Sequence, residues 1–292
     1  MRGGDWLRIA GGALAACLLA ALISTRLAAP ARAPQGRVTR VVSLSPAITE
    51  TIALLGAGDR LVGRSDYCPE VTAAPGLPRV GTSLRPNLEA IARLRPDLVL
   101  GERNAQSPGA ELSALAPLEL LPWLTLEDLT VSVRRLGVLV QREEAADELA
   151  TRLRAALAVS APPGAPRVLL ALAQPPGKLS QCWFIRRGSL HGAALRAAGG
   201  RNAVEDDGAG PPVLSLEEVL RLDPDAVVLL SPTPLSAEER AQLLRDWEGL
   251  PGLRAAGTRR VLPLVDPAGL VPGPRLLELI EPLRAAIAAV GS

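Results

Sequence analysis

The chain has 292 residues, with 32 basic and 30 acidic side chains, a net charge of +2 and a single histidine. That balance excludes a broad basic field for nucleic acid, and one histidine excludes a histidine-rich metal centre. Aromatic residues make up only 2% of the chain, so the core must be built from Leu, Val, Ala and Ile, and an aromatic ring near a cleft carries weight.

The N-terminus reads as a targeting segment. Arg2 and Arg8 precede an apolar run from Ile9 to Ile23, and Ala31-Arg32-Ala33 follows the small-x-small rule for cleavage. The run is shorter than the roughly 20 residues that a membrane span requires. Residues 1–33 are therefore expected to be a signal peptide. Lipidation at Cys17, after Leu14-Ala15-Ala16, and retention as an N-terminal anchor are the alternatives. Loss of Cys17 would leave Cys68 and Cys182 in an oxidising compartment, where a disulfide between them is permitted.

From Arg37 the pattern alternates strand and helix. Arg40–Leu44 reads as a buried strand, and Ser45-Pro46 opens a helix with a side-chain cap and a proline in its first turn. That helix stops at Gly56. Leu61–Gly63, Leu98–Leu100 and Leu118–Leu121 read as strands, with helices at Leu88–Leu94 and Glu111–Leu115 between them. This is an α/β lobe with a parallel sheet, expected over residues 37–126. Residues 127–161 are helical, with apolar positions at Leu129, Val133, Leu136 and then Leu149, Leu153, Leu157. Gly137 and Gln141-Arg142 suggest a break. Alternation resumes over residues 166–292. Strands are expected at Val168–Leu172, Ala226–Leu230 and Val261–Val265. Helices are expected at Ser189–Ala198, Leu216–Leu222, Glu238–Leu244 and Pro274–Val290.

An internal repeat ties the two halves together. Asn87-Leu88-Glu89 to Arg93-Leu94-Arg95-Pro96-Asp97 matches Ser215-Leu216-Glu217 to Arg221-Leu222-Asp223-Pro224-Asp225, 128 residues later. Both copies read cap, Leu-Glu, helix, Arg-Leu-x-Pro-Asp, strand. The fold expected is α/β, with two Rossmann-like lobes built on parallel central sheets and bridged by a long α-helix.

No Gly-x-Ser-x-Gly elbow and no phosphate-binding loop is present, and Ser189-Leu190-His191-Gly192 is not a triad, so no enzyme is expected. Arg40-Val41-Val42-Ser43-Leu44-Ser45-Pro46-Ala47-Ile48-Thr49-Glu50 resembles the opening motif of the helical-backbone class of periplasmic binding proteins. Gly58-Asp59-Arg60-Leu61-Val62-Gly63, Pro78-Arg79-Val80-Gly81, the two Leu-Glu units, Gly199-Gly200-Arg201-Asn202 and Pro272-Gly273-Pro274-Arg275 continue the resemblance in order.

The resemblance implies a receptor of an ABC importer that binds a metal chelate between its lobes, with no built-in cofactor or metal. Its partners would be a permease dimer and its ATPase, and the receptor would be a monomer in the periplasm or on the outer face of the inner membrane. The resemblance is nearest to cobalamin receptors, so cobalamin is the expected cargo, with ferric siderophore or haem as alternatives. It implies ligand contacts from Ser45, Arg64, Tyr67, Trp183, Arg187 and Asp266. Tyr67 is the ring best placed to pack on a flat macrocycle. Haem would call on Tyr67 or His191 as axial ligand, and a siderophore on Arg64 and Arg187. Glu89 and Glu217 match the glutamates that dock on permease arginines. A carboxylate in a first helical turn also favours the helix dipole, so that reading stands beside docking. Cys68 and Cys182 flank Tyr67 and Trp183, and a bridge between them would restrict lobe motion. A membrane-tethered sensor or scaffold derived from such a receptor is the alternative of a different class.

Overall fold

The computed structural model describes residues 36–68, 74–104, 108–205, 208, 210–266 and 270–290. The expected signal peptide or anchor, with Cys17, lies outside the described residues. Among the described residues no helix is long and apolar enough to cross a membrane.

The first lobe runs β1 (Val41–Ser43), α1 (Pro46–Leu54), β2 (Leu61–Arg64), α2 (Leu88–Leu94), β3 (Leu98–Glu102), α3 (Gly109–Leu115) and β4 (Leu118–Leu121). Its strands pair in the order β2-β1-β3-β4, all parallel. Two helices follow, α4 (Leu126–Leu139) and α5 (Glu143–Leu157). The second lobe runs β5 (Arg167–Leu172), β6 (Gln181–Trp183), α6 (Leu190–Ala197), β7 (Arg201–Asn202), β8 (Val213–Ser215), α7 (Leu216–Leu222), β9 (Ala226–Ser231), α8 (Ala237–Glu248), α9 (Arg254–Gly257), β10 (Val261–Val265) and α10 (Leu276–Ala288). Its main sheet has the order β10-β9-β5-β7, again all parallel. Counted within each lobe, both sheets have the strand order second-first-third-fourth.

The internal repeat has one structural job in both lobes. Helices α2 and α7 each end on a non-glycine residue in the left-handed region, Arg95 at φ 44° and Asp223 at φ 41°. Their terminal carbonyls need donors. Arg40 supplies them to Leu94 at 2.7 Å and Arg95 at 3.2 Å, and Arg167 supplies them to Leu222 at 3.1 Å and Asp223 at 3.3 Å. In return the carboxylate after each proline accepts from the start of the neighbouring strand. Asp97 takes the amides of Thr39 and Arg40, and Asp225 takes the amide of Arg167. Partial burial pushes the Asp97 carboxyl upward, but the hydrogen bonds from Thr39 and Arg40 outweigh it and hold it below the usual carboxylate range.

The connection between the lobes differs from a single long helix. The helical stretch folds back on itself as an antiparallel hairpin, with Arg134 paired to Asp147 and Arg154 donating to Thr130. Gln141 turns the chain at φ 51°, and a Cβ on Gly137 would fall 2.4 Å from that of Ala146. Glycine at 137 therefore lets the two helices touch. Of the pair, α5 packs on α6 and α10 of the second lobe. One apolar cluster runs from Ile48 and Ile52 through Leu129, Leu136, Leu149 and Leu153 to Val168, Leu195, Leu279 and Leu283. Both sheets thus share a core through the hairpin. Strand alternation divides the faces: Leu98 and Leu100 point into this cluster, and Val99 points to the outer one with Ile91 and Leu112. Fully burying a Leu side chain contributes about 1.5–3 kcal/mol, so this cluster dominates the attachment of the lobes.

Three short strands have no counterpart in the expected elements: β6, β7 and β8. β6 and β8 form an antiparallel ribbon, with Cys182 opposite Leu214 and Trp183 opposite Val213. Strands of two or three residues carry too little alternation to stand out from loop sequence.

Candidate functional site

In open parallel sheets, ligands bind outside the carboxyl ends of the strands. Residues 270–275, ahead of α10, contact the first lobe on the side of its carboxyl strand ends. Trp123, just past β4, is buried and donates its indole N–H to the Pro272 carbonyl at 2.6 Å. A Cβ on Gly273 would lie 3.3 Å from the Ala47 side chain on α1. Arg275 reaches Glu50 of α1 at 3.7 Å and Glu278 at 2.9 Å. These contacts tie the second lobe to the rim of the first.

Tyr67 is 76% exposed, three residues past the end of β2 at Arg64. It is therefore a surface ring and not core packing. Trp183 is 37% exposed on the β6–β8 ribbon, which adjoins the carboxyl half of β5 through the Ala171–Phe184 bridge. Asp266 directly follows β10, its amide held by the Ser231 carbonyl at 3.0 Å.

Two expected ligand contacts, Ser45 and Arg64, are enclosed by their own lobe. Ser45 is buried: its hydroxyl caps α1 by accepting from the Ile48 amide and donates to Glu102 Oε1 at 2.5 Å. It is too enclosed to reach cargo directly. Arg64 is 5% exposed and holds the Cys68 carbonyl at 2.5 Å, because the loop after β2 turns back over it. Arg187 is exposed, and its carbonyl accepts from Arg196 at the start of α6. His191 is buried in the first turn of α6.

The expected Cys68–Cys182 bridge is corrected: both cysteines are free and buried. Cys68 lies against the hydroxyls of Thr49 at 3.1 Å and Ser65 at 3.3 Å in the first lobe. Cys182 sits in the outer apolar cluster of the second lobe, where burial pushes its thiol up to about 12. In the native protein neither thiol should take up iodoacetamide at neutral pH, and both should after unfolding. A linked Cys68–Cys182 peptide in the mass spectrum would contradict this placement.

Sequence reasoning passed over Glu102, Trp123 and the Glu50–Arg275 pair as site elements. Glu50 and Arg275 each close a recognisable motif, which was the available signal. Glu50 is 8% exposed, and its Oε2 is buried without a hydrogen-bond partner. Burial raises its carboxyl above the usual 4.5, against the lowering effect of Arg275, and Glu278 and Asp266 add to the rise. A raised folded pKa means that this group's contribution to stability falls as pH rises from the unfolded value through the folded one. Exchange Glu50→Gln is therefore expected to leave the melting temperature at about pH 7.5 equal or higher, with the difference closing on acidification. A lower melting temperature at neutral pH would show that the Arg275 pair outweighs desolvation.

Glu89 and Glu217 occupy equivalent positions in the first turns of α2 and α7, and both are exposed. Their helices are capped by other groups. Asn87 accepts from the Ala90 amide, and Ser215 with Glu218 forms a capping box. Glu89 pairs with Arg93 at 2.5 Å across solvent. An open groove of about 610 Å³ lies elsewhere, beside α5 and α10, lined by Arg152, Ala156, Leu277 and Arg284.

A family model described as periplasmic binding protein matches residues 41–267. The vitamin B12-binding protein of Pectobacterium atrosepticum is 31% identical over 205 residues, 65% of this chain and 71% of that protein. The vitamin B12-binding protein of Salmonella paratyphi A is 32% identical over 197 residues, with 65% and 71% covered. A periplasmic haem-binding protein from Pseudomonas aeruginosa superposes with a TM-score of 0.68 at 28% identity, covering 87% of this chain and 92% of that one. The periplasmic vitamin B12-binding protein of Vibrio cholerae superposes with a TM-score of 0.67 at 24% identity, over 87% and 98% of the two chains, and shares the fold.

Proposed function

The chain belongs to the periplasmic binding protein family, and on that premise we propose that it captures a corrinoid between its lobes and delivers it to an ABC permease. The relatives at 31% and 32% identity are vitamin B12-binding proteins, which supports cobalamin over other chelates. The carrying observation is Tyr67, a ring 76% exposed at the carboxyl end of β2 in a chain with one tyrosine. Such a ring packs on a flat macrocycle and offers its hydroxyl to a polar edge. Capture is by complementarity, with no bond made or broken. Periplasmic location follows from the family, and release of the signal near Ala33 is part of the proposal.

Haem is the second reading, favoured by the Pseudomonas aeruginosa haem-binding structure at 28% identity. Only Tyr67 would serve as axial ligand, because His191 is buried in α6. Titration of the purified protein with cyanocobalamin, haemin and a ferric hydroxamate, followed by fluorescence and absorbance, separates the readings. Cyanocobalamin is expected to bind tightest. Exchange Tyr67→Ala should weaken it roughly 3- to 10-fold, the worth of one aromatic packing contact. Tighter haemin binding, with a tyrosinate absorption band lost in Tyr67→Ala, would transfer the assignment to haem.

A further inference from the structure

We propose that the Glu50–Arg275 contact is a proton-linked latch between the lobes, held tightest when Glu50 is protonated and opening more readily once Glu50 is ionised. The inference does not depend on which chelate is carried. Residues 272–275 hang on the first lobe through the contacts of Trp123 with Pro272, Ala47 with Gly273 and Glu50 with Arg275. Of these, the last alone carries charge. Glu50 is buried on α1, and its Oε2 has neither solvent nor a hydrogen-bond partner. A buried carboxylate needs a close counter-charge and donors for its oxygens. Arg275 meets Oε1 at 3.7 Å, longer than a hydrogen bond. The same guanidinium sits closer to Glu278, at 2.9 and 3.2 Å. The ionised form of Glu50 is therefore only partly compensated, and protonation removes most of that cost.

The charges around Glu50 reinforce this. Those that act on it are Arg275 and Glu278, at the start of α10, and Asp266, after β10, so negative charge prevails. The other elements against α1 direct their charged groups elsewhere. Glu102 of β3 accepts from Ser45, Arg60 donates to the Val38 carbonyl, and Asp59 acts on Arg60. On α4, Glu127 is exposed, Asp128 accepts from the Thr125 amide, Arg134 pairs with Asp147, and Arg135 with Glu119. Glu148 and Arg152 of α5 line a groove beside Leu54, at the end of α1. Burial is the largest influence on Glu50 and raises its carboxyl above the usual 4.5. The closed latch thus has its full strength below the unfolded value and loses it as pH rises through the folded one.

The test follows amide hydrogen exchange of the cargo-free protein by mass spectrometry at about pH 5 and about pH 7.5, with rates corrected for their intrinsic pH dependence. The reporters are the amides of Leu276, Leu277 and Glu278, which bond to the carbonyls of Gly273, Pro274 and Arg275. Strand β9 is the reference. In the unaltered protein, opening at the reporters is expected to be roughly 5-fold more frequent at the higher pH, with β9 unchanged. Glu50→Gln mimics the protonated group and should keep the lower frequency at both pH values. Arg275→Gln removes the positive partner and should widen the difference to roughly 10-fold or more. Melting curves report whether each variant folds. Equal opening at both pH values in the unaltered protein overturns the latch. So does a pH dependence that persists in folded Glu50→Gln, which would pass to another group, His191 first. If Glu50→Gln does not fold, a narrowed difference in Arg275→Gln overturns the latch and a widened one upholds it. None of these outcomes touches the receptor reading, which the cargo titration tests separately.

Discussion

Replacing Glu89 and Glu217 together with arginine should abolish uptake through the permease while leaving cargo affinity within about 2-fold, since both side chains are exposed on the first turns of their helices. Neither glutamate is needed to cap its helix. A first-turn carboxylate contributes about 0.3–1 kcal/mol through the helix dipole, and the caps of both helices are made by Asn87, Ser215 and Glu218. The Glu89–Arg93 pair is exposed and adds little. Melting should therefore change by only a few degrees in the double variant. Removing one member of a desolvated interfacial charge pair costs about 2–5 kcal/mol, so each single exchange should weaken docking by roughly 30-fold or more. Pull-down with detergent-solubilised permease, beside a cargo titration, measures the two effects separately. Unchanged docking in the double variant, or a large loss of cargo affinity, would return both glutamates to an ordinary surface role.

Trp123→Ala should cause the largest loss of stability of any exchange at the lobe junction, about 3–5 kcal/mol. Trp123 is 3% exposed and packs in the cluster that also holds the hairpin and α10. Its indole N–H is bonded to the Pro272 carbonyl, so truncation leaves a cavity and strands a buried acceptor. For a chain of this size a loss of that order lowers the melting temperature by roughly 10 °C. Trp123→Phe keeps most of the packing and removes the donor, and should cost about 1 kcal/mol. If the alanine variant melts within a degree or two of the parent, the contact with Pro272 does not hold the lobes together.

Much of the architecture was legible in the chain. The long elements were read within a few residues because period-two and period-3.6 patterns are local. Caps such as Ser45, Asn87 and Ser215 announce helix starts from one side chain and one amide three residues on. The hairpin was half-visible: the break at Gln141 showed, but the reversal did not. That reversal needs φ 51° at Gln141 and the bare Cα of Gly137 against Ala146. Neither property is a pattern along the sequence.

By itself the sequence determined the family, the α/β alternation, the duplicated Leu-Glu unit and the position of the lone tyrosine. Each of these is encoded in residues a few places apart. Tertiary structure decided what the polar residues near the cleft do. Arg64 turned inward to a carbonyl, the cysteines stayed apart, and Ser45 met Glu102 across 57 positions of chain. Trp123 met Pro272 across 149. A buried donor or charge must find a partner wherever the folded chain supplies one. That partner is chosen by packing in three dimensions, so no local spacing foretells it.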